Sequence, residues 1–283
     1  MPPAGTNLRL QQLQLLMQYR LMRDRPAALP VMEDVRFDVF SPDGEDGMLL
    51  FIFGLIGFKS RRCVDIGGAG ITASNTANLI VHHDFCGLVL DGSEHGIMRT
   101  MRGYRRYRPI HPPKCVHAWI SRDNVNAVLA EHSMSGDIDL LSLDLDGVDW
   151  WILDAITVVQ PRVIVVEYQD ILGPDRAWTV PYRDDFSVAD HPVNDGDSYN
   201  YCGAGLKAFV ELLHSRGYRL AGCNRTGYNA FFVRNGEGDD LLPEVATESC
   251  FASDWNRYGM ANRFPLVADM DWITVPPQSS LVN

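Results

Sequence analysis

Three acidic residues near the middle of the chain are spaced to act together. Asp144 and Asp146 follow the apolar run 138–143, and Glu167 closes the run 163–167. Short, β-branched runs of this kind read as buried strands. Each acid therefore falls at a strand's carboxyl end, the edge where open α/β sheets hold ligands. Three carboxylates gathered there can bind a hard divalent cation such as Mg²⁺ through oxygen. Alternatively, one acts as a general base while the others bond backbone amides. Both readings stay open. The run Asp144-x-Asp146-Gly147-x-Asp149 resembles a calcium loop, but the twelfth position, which needs a glutamate, is Ala155, and the resemblance ends there. Asp139 opens its strand and is expected at the opposite edge. Among the eight histidines no metal-ligand spacing occurs; His191, in a long loop, is the candidate base.

These acids need a framework, and the stretch from Arg62 to Thr76 organises it. Arg62-Cys63-Val64-Asp65-Ile66 reads as a strand, Gly67-Gly68-Ala69-Gly70 as a turn, and Ser74-Asn75-Thr76 as the start of a helix. Glycines let backbone approach a ligand closely, and a helix start offers unpaired N–H groups. The spacing fits the dinucleotide pattern G-x-G-x-x-G only with a substitution. Asp65, two positions before the first glycine, instead suits S-adenosylmethionine (SAM), which has an ammonium and a sulfonium and no pyrophosphate. The plainer alternative is a tight strand–helix turn without a ligand. The expected cofactor set is Asp65, Gly67, Gly68, Gly70, Ser74, Asn75, Asp91, Gly92, Ser93, Ser121 and Asp144. In it, Asp91 accepts ribose hydroxyls or caps the next helix with Ser93, and the 121–124 turn lies near the adenine.

The remaining segments alternate. Strands are expected at 63–66, 86–90, 115–120, 138–143 and 163–167. Helices are expected at 74–82, from 94 to about 107, from Asp123 to 132, and from Asp149 to 160, where Pro161 stops the last. A helix at 206–215 follows, and a hairpin at 218–223 and 230–234 ends the pattern. Five βα units closed by a hairpin predict an α/β fold with a seven-stranded, Rossmann-like sheet, helices on both faces and an antiparallel last strand, the class I SAM-methyltransferase plan. Residues 41–234 form the expected domain, with 170–202 as an insertion walling the substrate side. The flanks are an N-terminal helical extension (1–40) and a C-terminal extension or lid (235–283). In the first, Leu10, Leu13, Met17 and Leu21 mark a helix face packed on the body or on a second subunit, so a homodimer stays open. Asp43, Glu45 and Asp46 suit the start of a helix over 48–56.

Several stretches resemble the FkbM-like group of SAM-dependent methyltransferases, over residues 40 to 234. They are Ser41-Pro42-Asp43-Gly44-Glu45-Asp46-Gly47, Val64-Asp65-Ile66-Gly67 through Thr76, and Asp139-Leu140-Leu141-Ser142-Leu143-Asp144-Leu145-Asp146-Gly147. Pro161-Arg162-Val163-Ile164-Val165-Val166-Glu167-Tyr168 and Gly173-Pro174 with Thr179-Val180-Pro181-Tyr182 add to them. The resemblance implies SAM as donor and methylation, often on oxygen, of small or sugar-containing metabolites, including secondary ones. The family's turn has glycine where this chain has Ala69, and an acid where it has Gly70.

Composition narrows the rest. The chain has 283 residues, 46% hydrophobic and 22% charged, with net charge −11. That favours a sizeable core and disfavours nucleic-acid or anionic-membrane binding. Six scattered cysteines suit reduced thiols, and no apolar run reaches membrane-spanning length; a soluble, cytoplasmic protein is the expectation. The arginines at 99, 102, 105, 106 and 108 greet an anionic substrate or form a solvated helix face. The expected activity is methyl transfer from SAM to a small-molecule acceptor, on oxygen or nitrogen, with the strand-end acids as base or metal ligands. Rivals are non-methylating alkyl transfer or cyclisation, and a non-catalytic SAM-fold partner module.

Overall fold

Alternation within each apolar run decides how the sheet is built. Val64 and Ile66, Leu88 and Leu90, Leu141 and Leu143, and Ile164 and Val166 point into one core. Cys63, Val89, Leu140, Val163 and Val165 point into a second core on the other face. A sheet apolar on both faces must be covered twice, as parallel sheets are. The computed structural model describes residues 4–68, 70–191, 193–194 and 199–275, with side chains from residue 7 onward; Ala69 lies outside them.

Five parallel strands, β1 (Arg62–Ile66), β2 (Cys86–Asp91), β3 (Lys114–His117), β4 (Gly136–Leu143) and β5 (Val159–Glu167), form the body of the sheet. A short strand β6 (Trp178–Thr179) lies outside it. The hairpin β7 (Tyr218–Cys223) and β8 (Asn229–Arg234) completes the sheet, β8 inserting antiparallel between β5 and β7. The order is β3-β2-β1-β4-β5-β8-β7, and β6 pairs with β9 (Ile273–Thr274) in a separate ribbon. This is the class I methyltransferase sheet, Rossmann-like with its last inserted strand reversed. Helices α1 (Ala4–Met22), α2 (Glu45–Ile56), α3 (Ala77–His82) and α4 (Glu94–Tyr107) lie over one face. Helices α5 (Val125–Glu131), α6 (Asp149–Ala155) and α7 (Leu206–Ser215) lie over the other. A last short helix, α8 (Asp254–Tyr258), belongs to the C-terminal segment.

Four local expectations are corrected. α6 ends at Ala155, and Pro161 lies inside β5, opposite Ile138. Proline is tolerated there because β8 pairs with β5 only from Val163 onward, so its missing N–H costs no bond on that side. β3 ends at His117, after which Ala118 N–H bonds Asp91 O and the chain turns away. Asp43 does not cap α2. Its carboxylate accepts from Thr226 N–H, while Asp46 accepts from Val39, Phe40 and Ser41 N–H, and Glu45 takes Asn224 and Asn229 side chains. Asp43 and Glu45 thus clasp the start of α2 to the hairpin, and Asp46 holds the 39–41 loop against the same helix start. Finally, Leu10, Leu13, Met17 and Leu21 of α1 face outward, and Gln12, Leu16 and Tyr19 face the body. Gln12 explains that choice: it exchanges hydrogen bonds with Asn78 and also meets His83, so a buried polar group finds all its partners. Among the described residues no helix is long and apolar enough to cross a membrane.

Candidate active site

The glycine turn and the end of β4 fix each other. Gly67 has φ +91°, and a Cβ there would stand 1.6 Å from the carbonyl oxygen of Asp144. Only glycine lets the two backbones come this close. Asp65 secures the far side of the turn: one carboxylate oxygen accepts from Ser74 Oγ (2.8 Å) and Thr76 Oγ1 (2.7 Å). Ser74 Oγ in turn accepts from Ala77 N–H at the start of α3, and Asn75 reaches Ser142 on β4. Asp65, Ser74 and Asn75 are thus buried fasteners of the turn.

Two cavities open along the carboxyl ends of the strands, each of about 310 Å³, the size at which ligand sites begin. The first is bordered by Gly67, Asp91, Gly92, Ser93 and Asp144 from the predicted cofactor set, with Trp119, Ile120 and Phe186. Asp91 also accepts from Ser93 N–H, and Ser93 caps α4 through Gly96 N–H, so capping and facing the cavity coexist. Gly68, Gly70 and Ser121 stand outside this border, Ser121 holding its turn through Asn124. A strap formed by residues 182–186 contributes Arg183, Asp184 and Phe186 to this border. Trp119 Nε1 donates to Asp184 O (2.5 Å), Tyr182 bonds Asp184, and Arg122 lies over the rings of Trp151 and Tyr182 at 5.2 Å.

The second cavity is bordered by Asp146, Asp149, Glu167 and the aromatic residues Tyr168, Tyr199, Tyr228 and Trp255, with Arg263. Trp255 and Arg263 come from the C-terminal segment, and the Arg263 guanidinium lies 4.9 Å above the Trp255 ring. Sequence reasoning placed neither Trp119 nor Arg263. Trp119 had a signal, since it follows a strand's carboxyl end, whereas nothing local marks an arginine more than ninety residues from Glu167. His191 borders neither cavity; its ring packs between Phe186 and Tyr201.

Where the cavities meet, Asp144, Asp146 and Glu167 bring carboxylate oxygens within 4.8 Å of one another. Asp144 faces the first cavity, Glu167 the second, and Asp146 both. Asp146 has φ +53°, a left-handed conformation that aspartate tolerates better than most residues. Asp149 supports it by accepting from Leu145 and Gly147 N–H. Burial, then the Asp146 charge, pushes Asp144 up to about 7; burial, then Asp149, pushes Asp146 up to about 6. Glu167 is raised well above its ordinary value by burial and by the charges of Asp144 and Asp146. Asp144 Oδ1 is buried with no hydrogen-bond partner. Three crowded acids and one orphaned oxygen suit either a shared proton or a hard cation.

No family model matches the chain, and no curated protein does. Among solved structures, it is similar to a S-adenosylmethionine-dependent methyltransferase from Clostridium acetobutylicum at 12% identity and TM-score 0.37, over 63% of this chain and 86% of that one. It is also similar to the O-methyltransferase from Bacillus cereus in complex with SAH, at 16% identity and TM-score 0.41, over 78% and 89%.

Proposed function

We propose that the chain is a SAM-dependent methyltransferase that modifies a small-molecule acceptor, with oxygen as the favoured target. The observation that carries this reading is the meeting of two cavities at Asp144, Asp146 and Glu167. The donor belongs in the first cavity, beside the glycine turn and Asp91, where acids complement an ammonium and a sulfonium. The acceptor belongs in the second, against the aromatic wall. The stretches resembling the FkbM-like group agree with both the class and the oxygen target.

SAM, once bound, supplies a methyl group on a positively charged sulfur. The protein's task is then to align the acceptor, exclude water and remove a proton. Trp119 and the 182–186 strap border the donor side, while Trp255 and Arg263 border the acceptor side. Asp146 borders both spaces and is positioned to take the acceptor's proton, its raised affinity for protons making it a better base near neutrality. The orphaned Asp144 Oδ1 also favours a divalent ion. Asp144, Asp146 and Glu167 would hold it, and its charge would make an acceptor hydroxyl more acidic.

Isothermal calorimetry with SAM and S-adenosylhomocysteine tests the reading. Binding of both is expected, with S-adenosylhomocysteine rather than methylthioadenosine formed on turnover. Absence of heat with either ligand on folded protein would overturn it.

A further inference from the structure

The stretch from His95 to Ile120 contains Arg99, Arg102, Arg105, Arg106, Arg108 and Lys114 and no aspartate or glutamate. With six positive charges here and −11 on the whole chain, the remainder carries −17. α4 buries Ile97, Thr100 and Tyr104 against the body, which leaves Met98, Met101, Arg102, Arg105 and Arg106 toward solvent. Tyr107 at the end of α4 and Ile110 in the turn after it are exposed as well. Among the described residues Arg102, Arg105, Arg106 and Arg108 enter no ion pair.

A groove of about 340 Å³ runs along this face, bordered by Met101, Tyr104, Pro109, Pro112, Pro113 and Cys115, with Arg105 and Arg108 also on it. Arginine, methionine and aromatic residues, with lysine scarce and acids missing, are the composition that distinguishes protein interfaces from ordinary surface. A solvated helix laced by salt bridges alternates the signs of its charges, whereas from His95 onward this face carries cations alone. Arginine forks favour carboxylates, and the groove, with Arg105 and Arg108 on its border, offers an apolar anchor point next to them. A membrane or nucleic acid would present extended negative charge to the −17 remainder as well as to the patch, whereas a narrow acidic segment meets the patch alone.

We propose that α4 and the proline-rich turn after it dock an acidic amphipathic helix of a partner protein, its carboxylates on Arg102, Arg105 and Arg106 and one apolar side chain in the groove. This does not depend on the methyl-transfer reading.

A fluorescein-labelled helical peptide, with glutamates flanking a leucine stripe, is the probe. Anisotropy should report binding to the wild type that weakens with added salt, and at least about tenfold weaker binding to Arg105→Glu with Arg106→Glu. Met101→Asp should weaken it comparably by spoiling the groove. All these positions are exposed, so melting curves should match the wild type, and Arg106→Gln gives a milder variant should they not. Equal affinity for wild type and the double variant overturns the proposal. So does a wild type that ignores the peptide but binds phosphatidylserine-containing vesicles, a DNA duplex, or itself in sedimentation. S-adenosylhomocysteine titrations of the same variants should match the wild type, which separates this failure from failure of the donor site.

Discussion

Acids lie at both the amino-end and the carboxyl-end edge of the β4–β5 pair, and the two edges treat them in opposite ways. At the amino end Asp139 is fully buried and meets Arg162 Nη1 at 2.7 Å, while also accepting from Lys59 and Arg61 N–H. Arg162 bonds Glu237 at 2.8 Å as well, and Glu237 takes Lys59 at 2.7 Å. Burial would raise Glu237, but Arg162 and Lys59 bring it down to about 2. At the carboxyl end Asp144, Asp146 and Glu167 face one another, and no cation appears among the named causes of their shifts. Charge is neutralised where it holds β5 to the C-terminal segment and left frustrated where ligands are expected. Carboxylates perturbed by burial and by one another in a cleft are candidates for function, whereas ion-pair networks perturb them for architecture, and here both cases lie on one pair of strands.

The largest effect should come from breaking the neutral end. Arg162→Met removes the one guanidinium serving two buried acids, leaving Asp139 without its ion pair. Removing one partner of a buried pair costs about 3–5 kcal/mol, which urea unfolding would read. A loss under about 1 kcal/mol would mean that the amino-end network does not anchor the sheet.

The same experiment at the other end should give the reverse sign. Asp144→Asn removes a charge that is repelled rather than paired, so stability should hold or rise. Turnover should fall by about 10²–10³-fold if the acids handle the acceptor's proton. Parallel losses of stability and turnover would contradict the contrast. The pH dependence sharpens it. Asp144 and Asp146 bind protons more tightly folded than unfolded, since about 7 and 6 exceed the ordinary aspartate value of about 3.9. Their contribution is therefore fully present below about pH 4 and lost as pH rises through about 6–7. Glu237, lowered in the fold, contributes above about pH 4.3, and its contribution fades as pH falls toward about 2. Denaturation at several pH values should show Asp144→Asn flattening the neutral limb and Glu237→Gln flattening the acid limb.

How much of this was legible follows from the range of each interaction. The glycine turn, the alternation of strands and helices and the closing hairpin are encoded within about ten residues, and the seven strands with an antiparallel last one followed from them; the order of the strands in the sheet was read only from the structure. Asp144, Asp146 and Glu167 were recognisable because they cluster at the carboxyl ends of two apolar runs, the aspartates just after β4 and the glutamate as the last residue of β5. The start of β5 was not, since Pro161 looks locally like a helix stop and only the absence of β8 beside it makes it harmless. The face that α1 turns to the body was not legible, because Gln12, polar by type, has its partners in Asn78 and His83, more than sixty residues away. Trp255 and Arg263 reach the second cavity from a segment with no periodic signal of its own.

Asp65 is a third case between the two ends, and it gives the smallest expected effect. It is buried like Asp139 but neutralised by hydroxyls rather than by a cation. Burial raises its pKa, while the hydrogen bonds from Thr76 and Ser74 hold it down. Hydrogen bonds to a charged group contribute about 1.5–3 kcal/mol. Thr76→Val removes one and should cost about that much, read by thermal unfolding. Ser74→Ala should cost somewhat more, because Ser74 Oγ also accepts from Ala77 N–H at the start of α3. The informative comparison is Asp65→Asn. If Asp65 works mainly as a fastener, the asparagine's amide oxygen can still accept from both Ser74 and Thr76, and affinity for S-adenosylhomocysteine should drop no more than in Ser74→Ala. If its charge instead reaches the ligand, Asp65→Asn alone should weaken SAM, which carries the sulfonium, more than it weakens S-adenosylhomocysteine, which does not.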